Sequence, residues 1–260
     1  MSMFLTVYEA DHIAMEGYQL EPITEGFLGD LWNRVVEIFK KIWDRIVKTA
    51  EKIKDWLTKR NKQSDEKIMN EVLNNPYEHT FEYDHKELID KFDYAYNAFN
   101  DLVPVMIKLK ECSKNPENFK PDSFKSQYMS TFRKWCEVTD NGETIAVSCI
   151  KDKIQPISKS NKKGTITLKE ANSFADTLDA CTKKYHNLKT SSQKILGGYI
   201  NGIVDTDQFK NSIHFIRALA MTLANALMTF GMSMDHTLHC MLIELNACTK
   251  STTQKSAYAK

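Results

Sequence analysis

The sequence predicts an all-α protein, a helical bundle with a long N-terminal amphipathic helix and room for one short β-hairpin. Three observations predict it. Apolar residues recur at three-and-four spacing along most of the chain. The run from Thr206 to about Ala247 is apolar almost all round, the pattern of a central bundle helix. Stretches with strand character are few and short: Thr80–Tyr83, Thr144–Ser148 and Thr165–Thr167. The chain has 260 residues, 42% of them hydrophobic, enough for one sizeable helical domain or a domain with an extension. Its organisation reads as an acidic leader (1–25), a basic amphipathic helix (26–62), a hinge (63–83), a helical bundle domain (84–250) and a frayed polar tail (251–260).

The leader opens with Met3, Phe4, Leu5, Val7 and Tyr8. It then carries Glu9, Asp11, Glu16, Glu21 and Glu25, with no Lys or Arg. Pro22 biases the residue before it towards extended backbone, a conformation a protease can accept.

The basic helix follows at once. Phe27, Leu28, Leu31, Trp32, Val35, Val36, Phe39, Ile42, Trp43, Ile46, Val47, Ala50, Ile53, Trp56 and Leu57 form a broad apolar face. Arg34, Lys40, Lys41, Arg45, Lys48, Lys52 and Lys54 populate the other face, with Asp30, Glu37, Asp44, Glu51 and Asp55 among them. Glu37→Lys41 and Asp44→Lys48 are helpful pairs one turn apart, and Glu51→Asp55 is an unhelpful one.

In the hinge, a short helix near Ile68–Leu73 precedes Asn74-Asn75-Pro76, and Thr80–Tyr83 reads as a short strand or a loop. A second long helix runs from about Lys86 to Glu111, striped by Leu88, Phe92, Ala95, Phe99, Val103, Met106 and Leu109; Pro104 should kink or split it. After a turn-rich link through Pro116 and Pro121, Asp122 or Ser123 can cap a helix through Phe124, Tyr128, Phe132 and Cys136. Asp140-Asn141-Gly142 signals a turn. Thr144–Ser148 and Thr165–Thr167 are read as the two strands of a hairpin-like excursion around a Ser/Lys-rich loop. Thr167-Leu168-Lys169-Glu170 is a capping box opening the next helix, striped by Leu168, Ala171, Phe174, Leu178, Cys181, Tyr185 and Leu188. Gly197-Gly198 interrupts a shorter helix or turn, and Gly231 is a candidate break in the last long helix.

The six cysteines form no Cys-x-x-Cys pair, and the N-terminus lacks a basic, apolar signal pattern. Free, mostly buried thiols in a reducing compartment are therefore expected. The uncharged run Ala218–Met234 contains Thr222, Asn225, Thr229 and Ser233 and falls short of a strongly apolar span, so it is read as a buried core helix.

Phosphate-loop, Gly-x-Ser-x-Gly, His-Glu-x-x-His and cysteine-rich zinc patterns are all missing from the sequence, which argues against an enzyme and against a cofactor. His236, His239, Cys240 and Glu244 form the one tight cluster of ligand-like side chains. Positions 236, 240 and 244 stack along one helix face, where a soft metal can bind. Met234, Leu238, Met241 and Leu242 around them favour a packed core, and no metal site is assigned.

The basic helix has three readings. Its apolar face docks on the rest of the bundle or on a second copy; it lies on a membrane surface; or its bases contact nucleic acid. The candidate polyanion contacts are Arg34, Lys40, Lys41, Arg45, Lys48 and Lys52.

Two Glu-Gly steps occur in the chain, Glu16-Gly17 and Glu25-Gly26, and both lie at the leader. Ala14-Met15-Glu16-Gly17 and Ile23-Thr24-Glu25-Gly26 resemble the sites cut by the prohead proteases of large tailed bacteriophages. Such proteases cut after Glu, with a small or aliphatic residue two positions before it. The resemblance is to internal head proteins of these phages and covers about 26 residues. It implies a leader that places the protein in the prohead core and is removed on maturation. It also implies a helical mature protein that stays with the packaged DNA in the head and can be ejected into the host cytoplasm. Removing residues 1–25 takes away five acids and no base, leaving 35 basic against 29 acidic residues and moving the formal net charge from +1 to +6. That modest charge departs from a DNA condenser and fits weak contact with packaged DNA. The expected partners are the prohead core and its protease, with a host protein or membrane after ejection as the alternative use of the helix. An unrelated bacterial helical interaction protein is a further alternative.

Overall fold

Helix dominates the chain because apolar side chains repeat with the helical period, and the short alternating segments pair into two small antiparallel sheets. The computed structural model describes residues 27–61, 76–196 and 209–258. The leader with both cleavage motifs, the helix expected near Ile68–Leu73 and the Gly197-Gly198 break lie outside the described residues.

Helix α1 is Phe27–Asn61. Strand β1, Tyr77–Phe81, follows, then helix α2, His85–Cys112. A 3-10 turn at Pro116–Asn118 leads to helix α3, Pro121–Trp135, which passes directly into strand β2, Cys136–Asp140. Strand β3 is Ile145–Cys149, α4 is the single turn Lys151–Ile154, and β4 is Lys162–Ile166. Helix α5, Leu168–Leu196, and helix α6, Lys210–Tyr258, complete the order. The chain divides into two compact units of three segments each.

The first unit comprises Met1–Trp43, Asn97–Ile154 and Thr190–Met232. From α1 it buries Leu31, Trp32, Val35 and Phe39, four positions of one helical stripe. Phe39 meets Phe99 of α2 edge-on, with ring centroids 6.3 Å apart. The Trp32 indole N–H donates to Ser113 Oγ at 2.9 Å, and Ser113 donates in turn to the Lys110 carbonyl. Phe119, Phe124 and Phe215 form an aromatic cluster. Pro104 neither splits α2 nor ends it. The proline is exposed, so the hydrogen bond it removes lies on the outer side of the helix, where the cost is lowest.

In the second unit, Asp44–Tyr96, Gln155–Lys189 and Ser233–Lys260, the capping box at α5 is complete. Glu170 N–H donates to Thr167 Oγ1 at 3.1 Å, and Glu170 Oε2 accepts from Thr167 N–H at 2.7 Å. Leu88, Phe92, Phe174, Leu178, Tyr185, Leu238, Met241 and Leu245 are buried.

The strand expectations need correction. Thr144–Ser148 and Thr165–Thr167 do not pair with each other. Ile145–Cys149 pairs with Cys136–Asp140, and Lys162–Ile166 pairs with Tyr77–Phe81. The first pairing closes the shorter loop, through a turn in which Asn141 Oδ1 accepts from the Glu143 and Thr144 N–H groups. Gly142 there has φ 92, a left-handed conformation suited to glycine. With its natural partner so near, β3 leaves β4 to pair elsewhere. β1 also lies in the segment expected to be a hinge.

α6 passes through Gly231 without a break and continues to Tyr258, through most of the segment expected to be a tail. Its Lys210–Cys248 portion is long and apolar enough to cross a membrane, yet 61% of its most apolar window is buried inside the structure, the placement of a core helix. All six thiols are free, and five are buried.

Thr167→Ala removes the cap of α5 and should cost about 1 kcal/mol. Urea unfolding should show a lower midpoint with an unchanged slope, and Thr167→Ser should recover most of the loss.

Candidate functional site

The alternation of β1 places Tyr77, His79 and Phe81 on its inner face and Glu78 and Thr80 outside. Past the strand, Asp84 accepts from the Glu87 N–H at 3.0 Å, which caps α2 and sets His85 as its first residue. From the opposite side, Glu244 and Cys248 project from successive turns of α6. These elements bring together residues separated by about 160 positions in the chain.

Glu244 is fully buried. Its Oε1 lies 3.0 Å from His79 Nε2 and 3.2 Å from His85 Nε2, and its Oε2 accepts from the Tyr83 backbone N–H at 3.0 Å. An ionised carboxylate only accepts, so both Nε2 atoms carry protons in this arrangement. Cys248 Sγ is 3.7 Å from the same Oε1 and 3.5 Å from His79 Nε2. Tyr77 donates its hydroxyl to the Cys248 carbonyl at 3.4 Å.

Burial alone would push the Glu244 carboxyl up. The hydrogen bonds from His85, His79 and the Tyr83 N–H outweigh it and hold the group below the usual carboxylate range. Burial, with the Glu244 charge beside it, pushes the Cys248 thiol up to about 12. A thiol so placed is a poor nucleophile. Tyr77 and Tyr83 are pushed up to about 12, mainly by burial.

Aromatic rings wall the site. Phe81 meets His79 and His85 edge-on at 4.8 and 5.4 Å, and His85 stacks on Phe174 of α5 at 3.9 Å. Gly164 of β4, opposite His79, makes room for this: a Cβ there would lie 2.9 Å from Phe81 Cε2. The arrangement can hold a charge away from water. It also presents one nitrogen, one oxygen and one sulfur donor, from His79, Glu244 and Cys248, all within 4.8 Å of one another.

The structure redistributes the cluster read from sequence. His236 Nε2 lies 3.5 Å from Cys240 Sγ, while His239 is exposed. Burial, then the nearby His239 and Lys91, pushes the His236 pKa down, and burial pushes the Cys240 thiol up. Glu244 instead joins His79, His85 and Cys248, which sequence reasoning missed. The available signals were a carboxylate within Leu242-Ile243-Glu244-Leu245, a cysteine one turn on, and a histidine in an alternating segment. Of the candidate polyanion contacts, Arg34, Lys40, Lys41, Lys48 and Lys52 are exposed on α1, and Arg45 belongs to the same helix. The cleavage residues Ile23, Thr24, Glu25 and Gly26, and Ala14, Met15, Glu16 and Gly17, lie outside the described residues.

No protein-family model matches the chain, and neither a curated protein nor a solved structure matches it.

Glu244→Ala strands two imidazoles and a buried amide and should cost about 3–5 kcal/mol in denaturant unfolding. Glu244→Gln preserves the shape and one acceptor and should lose less. Gly164→Ala, which drives the Phe81 ring from between the histidines, should cost about 1–3 kcal/mol, with altered histidine ring shifts in NMR spectra.

Proposed function

We propose that the protein is a non-enzymatic internal virion protein of a large tailed bacteriophage. It enters the prohead core with an acidic leader, which the prohead protease removes after Glu25, with Glu16 as the secondary cut. The mature chain then stays in the head with the DNA, opens with the long amphipathic helix, and is delivered to the host cytoplasm on ejection. The observation that carries the reading is the pair of Glu-Gly steps. They are the only two in the chain; both lie at a leader of five acids and no bases, and one abuts the basic helix.

The mechanism is electrostatic. The leader's five negative charges oppose contact with DNA and favour the scaffold core. Cleavage raises the formal net charge from +1 to +6. The exposure of Arg34, Lys40, Lys41, Lys48 and Lys52 supports weak, salt-sensitive contact with a polyanion. Burial of Leu31, Trp32, Val35 and Phe39 weighs against insertion of that stretch into a membrane.

Intact mass of the chain from purified particles should correspond to a start at Gly26. In Glu25→Ala particles the start should move to Gly17 or the leader should remain. A wild-type virion species beginning at Met1 or Ser2 would sink the processing claim.

A further inference from the structure

We propose that His79 Nε2, Glu244 Oε1 and Cys248 Sγ bind a single divalent transition-metal ion of the zinc class. The three atoms are 3.0 Å (N to O), 3.5 Å (N to S) and 3.7 Å (O to S) apart. Zinc bonds of about 2.0 Å to nitrogen or oxygen and about 2.3 Å to sulfur set tetrahedral edges of about 3.3 Å between N and O and about 3.5 Å from S to either. The observed triangle matches a tetrahedral face within a few tenths of an ångström, so the ion is accommodated with little rearrangement.

The donor chemistry selects the metal. A mixed nitrogen, oxygen and sulfur set suits zinc or cobalt, whereas calcium and magnesium take oxygen ligands. The charges also balance. Binding releases the Cys248 Sγ proton, and a neutral His79 that coordinates through Nε2 carries its own proton on Nδ1; the dication then meets one thiolate, one carboxylate and one neutral imidazole, giving a buried site with no net charge. Without an ion, three hydrogen donors, from His79, His85 and Cys248, crowd the single oxygen Oε1. A cation replaces two of those protons. His85 Nε2, 3.2 Å from Oε1 on a side chain 26% exposed, stands at the outer side of the site as the nearest further donor. Ligands on a paired strand and on successive turns of one helix are held by rigid elements, and Tyr77 fastens the helix backbone at Cys248.

The test is cobalt titration of the full chain after chelator treatment. The expected result is one cobalt retained per chain after gel filtration, with tetrahedral visible absorption and a near-ultraviolet thiolate-to-cobalt band that zinc abolishes by displacement. Cys248→Ser should lose the charge-transfer band, and Cys240→Ser, at the neighbouring His236–Cys240 pair, should keep it. A folded wild-type chain that retains no cobalt overturns the proposal. So does a band that survives Cys248→Ser or depends on Cys240 instead. Should Cys248→Ser fail to fold, X-ray absorption of the zinc-loaded wild-type chain decides: one sulfur among nitrogen and oxygen ligands is expected, and a shell without sulfur overturns the site.

Discussion

Glu244 carries a negative charge in a helix whose neighbouring side chains are almost all apolar. Leaving such a charge unpaired costs several kcal/mol, a sizeable share of a domain's stability. Its unit is arranged to meet that constraint. β1 must run in the register that turns His79 inward, and its pairing with β4 sets His79 opposite Gly164. The chain must then turn so that the Tyr83 N–H reaches Oε2, and α2 must begin at His85, where its imidazole reaches Oε1. Shifting β1 by one residue would expose His79 and bury Glu78, trading a hydrogen-bond donor for a second carboxylate. Strand register, turn and helix start thus all meet at one side chain on α6, with the β4 ladder and the Asp84 cap holding them in place.

The other unit relies on packing in a more ordinary way. Its interior is a set of apolar helix faces and rings, with polar groups tied in pairs or short chains, such as Trp32 to Ser113 to Lys110. At its surface Asp101 accepts from Lys134 Nζ at 2.9 Å and from Trp135 Nε1 at 2.8 Å. The slight burial there raises the Asp101 carboxyl, and these hydrogen bonds bring it below its ordinary range. With both charges well exposed to water, the ion pair adds little stability; its use is to orient the end of α3 just before the chain becomes β2.

Features set by residues close in sequence were legible beforehand. The stripe from Leu88 to Leu109, the capping box at Thr167 and the core character of Ala218–Met234 follow from local periodicity and local hydrogen bonding. The strand partners were not legible, because alternation marks a strand without naming its neighbour. Thr165 and Thr167 look toward Thr144 in sequence, yet β4 pairs with a strand some eighty residues before it. The site failed for the same reason. Glu244 and Cys240 stand out on one helix, but the groups that give Glu244 its meaning come from β1 and the start of α2. A buried carboxylate announces that partners exist; only the tertiary fold says which they are.

The same reasoning bounds what α1 can do. Its apolar residues Leu31, Trp32, Val35 and Phe39 are spent in the core of their unit, so what the stretch around them offers to a partner is charge. Exposed Arg34, Lys40, Lys41, Lys48 and Lys52 alternate with exposed Glu37, Asp44, Glu51 and Asp55. Five bases against four acids make a nearly neutral face, which a polyanion meets one base at a time. Each phosphate neutralised contributes a salt-dependence slope of about −0.9, so a few scattered contacts give binding that fades quickly as salt rises. So mixed a face suits weak, salt-sensitive contact with a polyanion better than compaction of one. Against so small an excess of positive charge the leader's five acids weigh heavily: with them the formal net charge is +1, and without them it is +6.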